Sequence, residues 1–206
     1  MIRSLEDLQQ FTATLAQKFP ALAQRTLLRS PGCNEREISE LLAFERNLPR
    51  NYMDCVRRLH LKGFSLSGSF CLWPGGAVAT GTFVEGFRAA NSAGYTHQAE
   101  FRRMGLLRVA SWNDEPICVA KDGCTSFAPD SILRFEDSDQ LERSVVLSQD
   151  FEHFLVAAGN VAEIHIAEKD LAGEDRVDLL LGRLPEIGLQ PREVEAWRIV
   201  AETVFS

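Results

Sequence analysis

A block of short, β-rich segments set between stretches of helical spacing constrains this chain more than any other feature. From Gly63 onward the segments FSLSGSFCLW, LLRVASW, PICVA, CTSFA, SILRF and SVVL follow one another, each rich in β-formers and bounded by turn residues. Helical periodicity precedes and follows them. Helices, then strands, then helices is the order of an α+β domain with a mainly antiparallel sheet, because the strand and helix alternation of a parallel sheet is missing. That order argues against the common nucleotide-binding folds and by itself names no function.

In the first segment Leu5, Leu8, Thr12, Leu15 and Phe19 recur at steps of three and four, which predicts an amphipathic helix broken at Pro20. Asn34 is expected to cap a second helix whose Glu35 and Glu37 suit its positive end, with Ile38, Leu41 and Leu42 as the buried stripe. Leu48-Pro49 opens a third, carrying Tyr52, Cys55, Val56 and Leu59 on one face. After the strands, helices are expected over Gln149 to Ala162, over Val177 to Leu184, and from Pro191 through Val194, Trp197, Ala201 and Val204.

Within the β-rich block, Lys121-Asp122-Gly123 predicts a tight hairpin joining PICVA to CTSFA, since Asp-Gly accepts positive φ. The stretch from Gly81 to Gly94 has two readings: a short helix capped by Thr82 and running through Phe83, Phe87 and Ala90, or a loose insertion.

Charge and cysteine usage narrow the function classes. A net charge of −7 repels a phosphate backbone, so a basic protein is a better partner than nucleic acid. Five cysteines without close pairing and no Asn-x-Ser/Thr acceptor fit a reducing, cytoplasmic setting. No apolar run approaches the roughly 20 residues of a membrane span, and the opening MIRSLEDLQQ has no secretory signal.

Catalytic patterns are weak. Gly76 to Gly81 has the glycine spacing of a phosphate-binding loop, but Thr82 stands where the lysine belongs. Ser67-Gly68-Ser69 reads as turn residues. Cys71 and Cys124 are the thiols closest to loops, while Cys55, Cys71 and Cys118 suit small apolar core positions. His60, His97, His153 and His165 stand at no metal-ligand spacing, so neither a metal nor a cofactor is expected.

Acidic residues carry more information. Asp130, Glu136, Asp137, Asp139, Glu142, Asp150 and Glu152, seven carboxylates set against Arg134 and Arg143, leave −5 of the total charge between residues 130 and 152. Glu136, Asp137, Asp139 and Glu142, with Asp114 and Glu115 on a second turn, are candidate contacts for a basic partner. A merely solvated loop is the competing reading. Trp73 and Trp112, each at a strand-to-loop transition, are candidate aromatic anchors, with core packing as the alternative.

The run NEREISELLAFERNLPRNYMDCVRRLHLKG, residues 34–63, resembles the opening of the SUKH superfamily, with LPRNY at Leu48 to Tyr52 as its most telling element. LLRVASWNDEPICVAKDG, Leu106 to Gly123, is similar to that family's paired core strands, and Phe151 to Leu155 to its closing helix. The chain departs from the pattern at LKGFSLSGSFCLWPGG and across Thr82 to Arg103, both longer than usual. The resemblance implies one domain over residues 1–206, a core of about 34–160 with a mixed sheet flanked by helices, and helical additions at 1–30 and 161–206. It further implies a non-enzymatic module, most often an immunity protein that binds and occludes a cognate bacterial toxin such as a nuclease. Regulatory interaction modules of the same superfamily, including fungal cell-wall regulators, are the alternative. A cysteine-dependent hydrolase is a third reading, which rests on the thiols alone.

Overall fold

The computed structural model describes residues 1–66, 70–72, 81–92, 94, 97–135 and 144–206. Ser67-Gly68-Ser69 and most of the glycine-spaced loop, residues 76–80, lie outside them. Among the described residues nine α-helices surround one six-stranded sheet: α1 (Leu5–Lys18), α2 (Ala23–Thr26), α3 (Glu35–Phe44), α4 (Arg50–Arg58), β1 (Ser65–Leu66), β2 (Phe70–Cys71), α5 (Phe83–Ala90), α6 (Gln98–Met104), β3 (Leu106–Trp112), β4 (Glu115–Ala120), β5 (Ile132–Phe135), β6 (Ser144–Ser148), α7 (Phe151–Ala167), α8 (Gly173–Arg183) and α9 (Pro191–Phe205). The strands lie in sequence order and every described pairing is antiparallel, so the α+β class expected from the order of segments holds.

Local chemistry accounts for the helix starts. The Asn34 side chain accepts from Arg36 and Glu37 N–H, while Glu37 accepts from Asn34 N–H, closing a capping box on α3. Thr82 and Glu85 do the same for α5, which makes Phe83 to Ala90 a true helix. The same Thr82 that displaced the lysine of a phosphate loop is therefore a cap. Past the last described β2 pair, Cys71↔Ser111, the buried Asn91 side chain donates to Arg108 O and accepts from Arg108 N–H, both at 2.9 Å. It satisfies strand backbone beside the bulge between Arg108 and Ala110.

Three expectations about local structure fail. CTSFA is not a strand. Lys121-Asp122-Gly123 does turn, with Gly123 at φ +84°, but the chain then leaves the sheet. Ala120 donates to Ser131 O and accepts from Asp130 N–H, so the β4 partner is β5. The tight hairpin is instead Asn113-Asp114, both at positive φ, between β3 and β4. Phe19 lies past the end of α1 and is 42% exposed, and Leu42 of α3 is exposed rather than part of the buried stripe.

Both sheet faces are covered. Leu107, Val109, Ile117, Val119, Ile132 and Leu147 join the main core, while Leu106, Cys118, Leu133 and Phe135 meet Phe101 of α6 in a smaller one. The terminal helices belong to the main core, which runs from Ile2 to Phe205. Gly159 of α7 lets α1 approach so closely that an added Cβ would lie 2.6 Å from Leu8 Cδ1. At the other end Trp197 of α9 packs on Phe70 and Phe154 and donates to Leu147 O at 2.9 Å, covering the backbone edge of β6.

Candidate functional site

The strand register sorts the loops to two ends of the sheet. Trp112 pairs with Glu115, Ile117 with Arg134, and Phe135 with Ser144. Asn113-Asp114 and the two residues that bracket 136–143 therefore share one end. Ile132 pairs with Ser148 at the opposite end, where Asp130 and Asp150 stand. Of the carboxylates that crowd residues 130–152 in sequence, the described ones, Asp130, Asp150 and Glu152, stand at this second end.

Those at the second end are structural. Asp130 accepts from Tyr52 N–H at 3.2 Å, and burial raises its carboxyl despite that bond. Asp150 caps α7, accepting from His153 N–H and holding His153 Nδ1 at 2.8 Å from Oδ2. Burial alone would raise Asp150, but its bonds from His153 hold it below the ordinary carboxylate value, and the same pair raises His153. Asn51 Oδ1 accepts from Phe151 and Glu152 N–H at 3.1 Å, completing the cap from α4. Glu152 ion-pairs with Arg58 at 3.4 Å.

At the first end the described residues are of two kinds. Asp114 is exposed and makes no ion pair among the described residues. Glu115 is half-buried and bonded at 3.3 Å to Arg134, whose guanidinium lies 4.5 Å over the Trp112 ring. Trp112 is only 2% exposed and stacks on Phe70, so it is a core residue and presents no face to a partner. Its ring must be buried because β3 has packing on both sides. Glu115, likewise, is committed to neutralising a buried cation. Trp73, Glu136, Asp137, Asp139 and Glu142 lie outside the described residues. Arg108 and Arg134, buried beneath the Asn113-Asp114 turn, were not singled out from sequence. Their alternation with Leu107, Val109, Leu133 and Phe135 was the available signal.

Cys33, Cys55 and Cys118 sit in the wrong environment for nucleophiles. Burial, helped by Glu37, pushes Cys33 up to about 12, and burial pushes Cys55 to about 12 and raises Cys118 as well. A nucleophile must be the thiolate at working pH. Cys124 Sγ, half-buried, donates to Met104 O at 3.2 Å. His60 is lowered by burial and by Arg29 and Lys62. Among the described residues no three His, Cys, Asp or Glu gather as a metal site requires. No described helix is long and apolar enough to cross a membrane.

No family model, no curated protein and no solved structure matches the chain.

Proposed function

We propose that the chain is a SUKH-like protein-binding module of the immunity type, which neutralises a basic toxin domain by covering it with the Asp114 end of its sheet. The observation that carries this reading is the register: it brings the exposed Asp114 to the same end as Phe135 and Ser144, between which Glu136, Asp137, Asp139 and Glu142 stand in sequence. Carboxylates near one end of a sheet would steer a cationic partner and fix its orientation. The rest of the interface, about 1,600 Å² in total for a stable complex, requires no cofactor. Burial holds the Cys33, Cys55 and Cys118 thiols protonated, which disfavours a hydrolase built on any of those three.

The role of the LPRNY element also fits an interaction scaffold. Leu48 and Tyr52 are core residues, and Asn51 ties α4 to the start of α7, so the motif supports the fold and leaves recognition to loops. The test is functional. A protein captured from the native extract is expressed alone and together with this chain. Growth arrest relieved by co-expression is the expected result. A captured protein that is harmless alone would contradict the immunity reading and favour a regulatory module.

A further inference from the structure

The start of the chain leaves an apolar pocket open. Pro20 ends α1, and the chain turns through residues 20–22 into α2. The buried Thr12 hydroxyl, which donates to Gln9 O and accepts from Leu28 N–H, fixes the returning segment. Between α1, the turn, β1 and the end of α7 this leaves a cavity of about 320 Å³ walled by Leu15, Phe19, Leu22, Leu66 and Ile166. Phe19 and Leu22 are 42% and 53% exposed, an apolar surface the fold itself does not cover.

Charge at its mouth selects the occupant. Among the described residues Arg25 and Lys169 line the pocket, no carboxylate does, and neither cation has an ion pair. The Lys18 ammonium stands 5.6 Å from the ring of Phe19, which lines the pocket while Lys18 does not. Glu168 and Asp170 flank Lys169 in the chain without lining the cavity. Two cations and no carboxylate at an apolar hole are a local reversal on a chain of net charge −7. At roughly 30 Å³ for a water-sized group, the volume holds about ten non-hydrogen atoms. That is the small end of ligand pockets, which pair an apolar lining with a few placed polar groups.

We propose that this pocket binds a medium-chain carboxylate, its hydrocarbon tail against Leu15, Leu22 and Ile166 and its carboxylate between Arg25 and Lys169. An apolar wall alone would accept any hydrocarbon. The cations make the anionic head part of the recognition, since a charge-assisted bond to Arg is stronger and more directional than a neutral one.

Titrating the full chain with decanoate, below the concentration at which decanoate self-associates, tests this by calorimetry. Saturable one-to-one binding is expected. Leu22→Asp, and separately Arg25→Glu with Lys169→Glu, should each weaken it at least tenfold, and decanol should bind at least tenfold more weakly. The substituted residues are exposed, so folding is checked by unchanged melting. No saturable binding, or decanol binding as tightly as decanoate, would overturn the proposal. So would a wild-type dimer dissociated by Leu22→Asp, which would assign the patch to a second copy. Binding to anionic phospholipid vesicles without binding to free decanoate would likewise overturn it in favour of a membrane surface.

Discussion

At the scale of single residues, position in sequence and role in the structure separate most sharply among the charged groups. Glu115 looks like a partner contact but neutralises Arg134 over Trp112. Glu115→Gln removes the charge opposite a buried guanidinium and should destabilise the fold by about 1–3 kcal/mol, read by chemical denaturation. A change within 0.3 kcal/mol, roughly the error of additivity, would mean the pair is idle. His153 offers a pH readout. Its hydrogen bond to Asp150 raises its folded value above the ordinary 6.5, with Asp150, Glu152 and Glu193 all favouring the cation. A raised value means stability fully present below about 6.5 and lost as pH climbs through the folded value. Asp150, lowered in the same pair, contributes above its ordinary value and loses that contribution as pH falls through the folded one. Melting temperature of the wild type should therefore fall more steeply between about pH 6 and 8 than that of His153→Gln. Parallel curves would dismiss the pair as a stabilising device.

At the scale of elements, what was legible depended on how local the deciding interaction is. The cap of α3 was readable because Asn34 acts on amides within three residues, while Thr82 left α5 open between a helix and an insertion until its reciprocal bond with Glu85 is seen. The hairpin at Asp-Gly fails because positive φ fixes a turn but not a strand partner, and the free edge of β4 at Ala120 has two contenders, CTSFA and the segment entering β5. Ser131 and Asp130 win that competition. CTSFA, left outside the sheet, still buries part of Phe127 against the smaller core, which explains its apolar composition. Phe19 was misread because helical spacing continues through it while Pro20 redirects the chain. Helix packing allows a sharp prediction at α7. Gly159→Val forces side-chain atoms into the space held by Leu8 and Ile2 and should cost about 1–3 kcal/mol in a thermal melt. An unchanged melting temperature would show that α1 gives way without cost.

At the scale of the whole molecule, the terminal helices and the sheet form one cooperative body. Ile2, Leu8, Trp197 and Phe205 share the core with the strands, and an aromatic series from Tyr52 through Phe151, Phe154 and Phe70 to Trp197 links α4, α7, β2 and α9. The contact between Phe70 and Trp197 joins residues 127 positions apart, a distance over which periodicity carries no signal. Strand pairing likewise sends Asp130 and Asp150 to one end of the sheet and keeps Asp114 at the other. With structural acids at one end and the exposed Asp114 at the other, the proposed recognition is separable from stability. That separation is tested by capturing partners from native extract at moderate salt with the wild type and with a variant carrying serine at Asp114, Glu136, Asp137, Asp139 and Glu142. The expected result is one basic protein retained stoichiometrically by the wild type and lost by the variant, with superimposable melting curves. Equal retention by both proteins, or no retained protein, would contradict recognition through this end of the sheet.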